Sequence, residues 1–199
     1  MKRETCNNRE LDAAVDCIFP DRWSPRSFDS KPLDDGQIAA LFEAARWSPS
    51  CFNEQPWVFI YAGTEKDREG LVSLLSERNQ LWAPRAPLLA VLVARRHFGA
   101  SNRENRHAAF DAGAAWMSLA LQARRLGLYA HAMAGFDGDR AYDVLNLSRE
   151  DYLVMAVIIV GRRKSPPDLP DDLMKAETPN GRKPHTDVAV ELGRWLSDQ

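Results

Sequence analysis

The sequence predicts an α/β or α+β fold, and three observations support this prediction. Apolar runs typical of strands, such as residues 153–160, alternate along the chain with segments of helical periodicity. This alternation is not the pattern of a helix bundle or of a β-sandwich. The 199 residues, of which 45% are hydrophobic and 27% charged, are enough for a buried core. We therefore expect a single domain over residues 1–199, with two small domains as the alternative.

Five helices and four strands are predicted before residue 162. The clearest helix begins after Asp34, whose carboxylate can accept from the amide of Gln37 in a capping box. It ends before Pro49, because proline has no amide hydrogen. Its buried stripe has the spacing i, i+3, i+4 and i+7 and consists of Ile38, Leu41, Phe42 and Ala45. The strands are expected over 57–62, 87–94, 129–133 and 153–160, and the other helices over 10–18, 66–77, 106–126 and 139–145.

Residues 162–187 have a different character. They are rich in proline and charge and have no periodicity. A stretch of this length without regular structure is uncommon in a compact domain unless it is functional or packs on a partner. We therefore expect an extended C-terminal segment and a homodimer.

Composition excludes several classes of function. The formal net charge of −2 gives no reason to expect a nucleic acid or an acidic membrane as a partner. The three cysteines, Cys6, Cys17 and Cys51, form no CxxC pair and fit no closed disulfide framework. The longest apolar run, residues 87–94, is far shorter than the roughly 20 residues of a membrane helix. These features predict a cytoplasmic protein with neither a metal site nor a membrane anchor.

Two basic motifs at opposite ends of the chain could bind an anion. In "RWSPRSF", residues 22–28, Arg22 and Arg26 can converge on one phosphate, although a solvated turn is the alternative. In "NGRKP", residues 180–184, an Asn-Gly turn presents Arg182 and Lys183 together.

Two further motifs suit a flat polar ring. The loop in "RWSPSCFNEQPWVF", residues 46–59, concentrates hydrogen-bonding groups beside a strand and lacks a pairing of nucleophile and base. In "AHAMAGFD", residues 130–137, Gly135 permits a close backbone approach. His131 is expected to be a hydrogen-bonded histidine of the core or its rim and not a metal ligand. The chain has no GxGxxG, P-loop or GxSxG motif.

Together and in this order, these motifs resemble the FMN-dependent nitroreductase family. The resemblance covers about residues 15–190 and includes "NQLWAPRAPLLAVLVA", residues 79–94, and "DAGA", residues 111–114. It implies an α+β fold, with a mixed sheet wrapped by helices in an intertwined homodimer. Two FMN sites would lie at the subunit interface.

The resemblance also implies which residues contact FMN. The phosphate and one ring edge would be held by the first motif and the C-terminal turn, at Arg22, Trp23, Ser24, Arg26, Arg182 and Lys183. The opposite subunit would contribute the polar loop, at Pro49, Ser50, Cys51, Asn53 and Gln55. The ring would also contact Asn79 and the turn Ala132, Met133, Ala134 and Gly135. Candidate walls of the substrate pocket are Trp82, His107 and Phe110, with core packing an equal alternative for Phe110.

The implied function is that of an NAD(P)H-dependent oxidoreductase. Hydride would pass from NAD(P)H to flavin N5 and then to a nitroaromatic or a quinone, in ping-pong order, with the flavin carrying the chemistry. Trp82 stands where many relatives have a lysine, and Ala134 stands where the best-known bacterial members have an acid, so the substrate range is left open. The alternatives are a specialised flavoenzyme, such as an enone reductase, a dehalogenase or a flavin-fragmenting enzyme, or a non-catalytic flavin-binding module.

Overall fold

Four antiparallel strands form the sheet of the computed structural model, which describes residue 7 and residues 9–197. The strands are β1 (Trp57–Tyr61), β2 (Leu88–Arg95), β3 (Tyr129–Met133) and β4 (Tyr152–Gly161), and their order is β1-β2-β4-β3. All four predicted strands are confirmed to within one residue at each end. Since every pairing in the described sheet is antiparallel, these four strands do not form the mixed sheet that the resemblance implied. Cys6 lies outside the described residues.

The helices of the described chain are α1 (Ile18–Asp21), α2 (Asp35–Arg46), α3 (Glu65–Val72), α4 (Glu77–Gln80), α5 (Ala108–Arg125), α6 (Gly138–Val144), α7 (Asp171–Met174), α8 (His185–Val188) and α9 (Leu192–Ser197). The capping box of α2 is confirmed, because Asp34 Oδ1 accepts from the Gln37 amide at 2.8 Å and Gln37 Oε1 accepts from the Asp34 amide at 3.3 Å. The segment 162–187, predicted to have no regular element, contains the single-turn helices α7 and α8.

Two predicted helices were wrong for identifiable reasons. Residues 10–16 are not helical, and α1 begins at Ile18, whose amide donates to Asp16 Oδ1 at 2.9 Å. The helix predicted over 66–77 is split into α3 and α4. Leu75 leaves the helix to form a β-bridge with Phe136, and the amide of Ser76 donates to the Gly135 carbonyl at 3.0 Å.

The sheet is covered on both faces. On one face α2 and α5 pack against it, and their buried residues include Leu41 and Leu119. On the other face lie Leu71 of α3 and Ala141 of α6, together with side chains from irregular segments and the short helix α7, which include Phe28, Leu74, Trp82 and Leu173. The second face therefore depends on tertiary contacts to hold irregular backbone in place.

A buried carboxylate holds the segment Arg22–Phe28 to the C-terminal segment. The Glu177 side chain is 1% exposed, and its two oxygens accept from the amides of Arg26 at 2.7 Å and Ser27 at 3.2 Å. Arg163 Nε lies 3.6 Å from Oε1. The Ser27 carbonyl also accepts from the Lys164 amide at 3.0 Å. Residues about 150 positions apart in the sequence thus form hydrogen bonds with each other beside the sheet.

We expect Glu177→Ala to lower the free energy of unfolding by about 3 kcal/mol, because it leaves two amides without their acceptors and Arg163 without its counter-charge. Glu177→Gln should lower it by less, since one amide oxygen can still accept. Urea denaturation followed by circular dichroism measures the change, and Glu150→Ala, at an exposed glutamate, is the control. A Glu177→Ala protein as stable as the wild type would contradict this role of the carboxylate.

Candidate functional site

Three arginines that are distant in sequence form one cluster. Burial lowers the pKa of the Arg22 guanidinium, and the positive charges of Arg182 and then Arg9 lower it further. The pKa of Arg9 is likewise lowered by burial and then by Arg182. Arg9 Nη1 donates to the Arg22 carbonyl at 2.8 Å, and its Nε donates to the Asn180 carbonyl at 2.9 Å. Like charges held this close favour an anion between them.

The cluster brings together Arg22 and Arg182, which are two of the predicted phosphate ligands. It also includes Arg9, which the motifs did not indicate. Arg22 Nη1 lies 3.4 Å from the Ser24 hydroxyl, which accepts its hydrogen bond. Arg26 Nη1 donates to the Ala176 carbonyl at 3.3 Å, and its guanidinium carbon lies 5.9 Å from the Trp82 ring centre. Arg9 carried no recognisable signal in the sequence, because its contacts are to main-chain carbonyls of distant segments.

His131 lies beneath this cluster as a neutral, hydrogen-bonded side chain. It is 9% exposed, and its Nδ1 is 2.8 Å from the Pro25 carbonyl, which can only accept, so Nδ1 carries the proton. Burial is the main cause that lowers the pKa of His131 to about 4, and the charges of Arg26 and Arg22 act in the same direction. The Pro25 hydrogen bond partly opposes them. At neutral pH this histidine adds no charge to the site.

Asn79 and the turn Ala132–Gly135, which were predicted to contact one ring, contact each other. Asn79 Nδ2 donates to the Gly135 carbonyl at 2.9 Å. A Cβ on Gly135 would lie 2.7 Å from that same nitrogen, so only glycine fits here without displacing Asn79. Ala134 and Gly135 are exposed, whereas the Met133 side chain is 3% exposed and belongs to the core.

The polar loop is held by hydrogen bonds at three points. The Cys51 amide donates to the buried Asp111 carboxylate at 3.0 Å, and the Gln55 amide donates to the Ser50 hydroxyl at 2.9 Å. Glu54 Oε1 accepts from the Gly99 amide at 2.8 Å. Pro49 and Asn53 are exposed, and Ser50, Cys51 and Gln55 are half-buried. These hydrogen bonds hold the loop in place while part of it stays exposed to solvent.

The arginine cluster and the polar loop are anchored at opposite ends of α5. Asp111, which binds the loop, is in the first turn of α5. Arg124, in the last turn, is paired at 2.7 Å with Asp21, the neighbour of Arg22. At a rise of 1.5 Å per residue the two anchors are about 20 Å apart. One protomer thus presents the polar loop and the arginine cluster at two separate places.

The structure corrects part of the predicted substrate pocket. Trp82 is 1% exposed and packs against His131 with ring centres 4.9 Å apart, so it is a core residue and not a pocket wall. Trp23 is also in the core, at 5% exposed. His107 is exposed and Phe110 is 79% exposed, so the alternative of core packing for Phe110 was wrong.

Two features are absent from residue 7 and residues 9–197. No group of three or more histidine, cysteine or acidic side chains there is arranged to hold a metal ion. No helix in this part of the chain is both long and apolar enough to span a membrane.

The shifted pKa of His131 predicts a pH-dependent stability. The unfolded chain takes up this proton near pH 6.5 and the folded chain near pH 4, so acid favours unfolding. The contribution of His131 is complete above pH 6.5, and about 3 kcal/mol is lost as the pH falls towards 4. Urea denaturation at several pH values should show a shallower decline for His131→Gln. His107→Gln, at an exposed histidine, is the control, and equal slopes for His131→Gln and the wild type would contradict the prediction.

Comparisons with known proteins identify the family of this chain. A family model described as the nitroreductase family matches residues 20–81 and 65–162. A Streptomyces coelicolor protein with the provisional name NADH dehydrogenase/NAD(P)H nitroreductase is 28% identical over 169 residues, which are 75% of this chain and 83% of the relative. A second protein of the same organism and the same provisional name is 29% identical over 75% of this chain and 85% of its own length.

Solved structures give the same result. A crystal structure of an oxidoreductase containing FMN is 40% identical to this chain, with a TM-score of 0.88 over 96% of this chain and 98% of its own. A protein of Exiguobacterium sibiricum 255-15, solved in complex with FMN, is 18% identical and shares the fold, with a TM-score of 0.73 over 92% of this chain and 100% of its own. The resemblance seen in the motifs is confirmed, and the chain belongs to the nitroreductase family.

Proposed function

We propose that this chain is an FMN-dependent oxidoreductase that takes hydride from NAD(P)H and reduces a small acceptor such as a nitroaromatic or a quinone. The observation that carries the proposal is the cluster of Arg9, Arg22 and Arg182, in which burial and mutual repulsion lower the pKa values of Arg9 and Arg22. The relative that is 40% identical contains FMN. The two findings are independent and support the same cofactor.

The arginine cluster fits the FMN phosphate by charge and by donor type. A phosphate monoester carries between about 1.5 and 2 negative charges at pH 7, and guanidinium groups bind its oxygens as paired donors. Each charge-assisted bond contributes about 1.5–3 kcal/mol. Arg22 and Arg182 would hold the phosphate, with Ser24 and Lys183 beside them. Arg26, next to Trp82 and His131, would lie towards the ring.

The separation of the polar loop from the arginine cluster favours a homodimer. The outward side of α5 has its own apolar stripe between the loop and the cluster, formed by Phe110, Gly113, Ala114, Met117 and Leu121. A helix that is apolar on two sides is covered on both. Two copies packed through this stripe about a two-fold axis, with their α5 helices antiparallel, would place the loop of one protomer beside the arginine cluster of its partner.

In the assembled site the bound FMN supplies hydride transfer, and the protein supplies binding, orientation and charge. Arg26 would stabilise negative charge that develops on the ring. His131 has its one proton on Nδ1, engaged with Pro25, and is therefore not a general acid. Solvent would supply the proton that accompanies reduction of the acceptor, and one pocket would serve NAD(P)H and the acceptor in turn.

The first test concerns the phosphate. We expect the purified protein to be yellow and to bleach anaerobically with NADH or NADPH. Arg22→Ala should weaken FMN binding about 10- to 100-fold, because it removes one charge-assisted contact. Titration with riboflavin, which lacks the phosphate, should show little difference between Arg22→Ala and the wild type. Arg140→Ala, at an exposed arginine of α6, is the control. An equal loss of affinity for FMN and riboflavin would contradict the assignment of Arg22 to the phosphate.

The second test concerns the dimer. Gly113 is exposed on the outward side of α5, and a Cβ there would meet nothing within 4 Å in its own protomer. We expect Gly113→Glu to fold, to run as a monomer in analytical ultracentrifugation and to lose FMN, because the charge would be buried between copies. Gly70→Glu, at another helical glycine with nothing within 4 Å, should remain a dimer with FMN. A Gly113→Glu monomer that retains FMN would contradict a site shared between protomers.

A further inference from the structure

Phe52 combines two features that are unfavourable for an isolated chain. Its backbone lies in the left-handed region, with φ 52° and ψ 24°. Bulky side chains rarely adopt this region, because the Cβ crowds the following carbonyl. The side chain is also 87% exposed, so a large apolar surface faces solvent. Neither feature buries the Phe52 side chain within the protomer.

The surrounding contacts enforce this conformation. The amide of Cys51, immediately before Phe52, is bound by Asp111 at 3.0 Å. Glu54, two residues after it, accepts from the Gly99 amide at 2.8 Å. The ring of Phe98 packs against the Phe52 ring with centres 5.9 Å apart and planes at 70°, which is an edge-to-face contact. Backbone strain that neighbouring contacts maintain in this way is typical of ligand-binding positions.

We infer that Phe52 is the aromatic wall on which a flat acceptor stacks at the partner's flavin, and that it favours aromatic over non-aromatic acceptors. This inference rests on the proposed function, in which the loop of one protomer closes the cofactor site of the other. Phe52 is the only aromatic residue in the stretch from Pro49 to Gln55. The Phe52 side chain remains 87% exposed beside Phe98, so most of its ring surface is available for stacking. Aromatic rings of quinones and nitroaromatics prefer such offset stacking.

The neighbouring exposed aromatic residues do not share these features. Trp47, 73% exposed, has φ −82°, donates from Nε1 to Glu43 at 2.8 Å and is covered by the Arg46 guanidinium at 4.7 Å. Phe110 lies in the regular helix α5. Only Phe52 among these three is held in an unfavourable backbone conformation.

The Phe52→Gly variant distinguishes a role of Phe52 in acceptor binding from a role in the stability of the fold. Glycine adopts positive φ without strain, so we expect Phe52→Gly to raise the Tm by about 2–4 °C while removing the stacking surface. With the nicotinamide that reduces the wild-type flavin as donor, kcat/KM for menadione should fall about tenfold, chiefly through KM. The kcat/KM for ferricyanide, which has no ring, should change less than about twofold by the same reasoning. Phe52→Ala should show the same selectivity change without the rise in Tm, since its Cβ retains the strain.

Asn146→Gly is the matched control, because Asn146 also has a positive φ, 50°, and lies outside the proposed site. It should leave the menadione-to-ferricyanide ratio unchanged. Equal losses with both acceptors, or no loss with menadione, would overturn the inference. So would a lower Tm together with a weaker dimer, which would identify Phe52 as an interface anchor. Failure of the proposed function is seen separately, as a wild-type protein that is colourless or is bleached by neither NADH nor NADPH.

Discussion

The Glu177 carboxylate determines where the site residues lie. The segment Arg22–Phe28 has no helix or continuous strand to position it, and hydrogen bonds from distant residues take that role. Glu177 holds the amides of Arg26 and Ser27 from within the core, and Arg162 and Lys164 add main-chain bonds beside it. The C-terminal segment that carries Glu177 then continues to Arg182. One buried acid thus helps to bring basic residues from both ends of the polypeptide close together.

The helix α5 imposes the second constraint, which is distance. It positions the polar loop at its first turn through Asp111 and the arginine cluster at its last turn through Arg124. A rigid helix of this length keeps the anchors of the polar loop and of the arginine cluster about 20 Å apart within one chain. We propose that dimerisation resolves this separation. Under that proposal, cofactor binding and subunit association are linked, and the strained loop gains its function only when a partner is present.

Local signals predicted much of the fold, while the site depended on long-range contacts. The strands followed from apolar runs, and α2 followed from its capping box, because these features are encoded by adjacent residues. The helix over 10–18 failed because Asp16 forms a local turn, and that over 66–77 failed because Leu75 pairs with Phe136. Arg9, Glu177 and Asp111 were missed as site or anchoring residues, since each acts on main-chain atoms of a remote segment. Trp82 was assigned to a pocket because sequence order does not show burial.

Mixed dimers test the shared site most directly. One chain would carry Arg22→Ala. The other chain, with a different tag, would carry Asp111→Ala, which removes the carboxylate that holds the polar loop. If each site combines the cluster of one protomer with the loop of the other, the tandem-purified mixed dimer contains one intact site. It should then bind one FMN per dimer at wild-type affinity, although each parent homodimer binds weakly. A mixed dimer with no wild-type site would contradict the account, because it would place both halves of the site in one protomer.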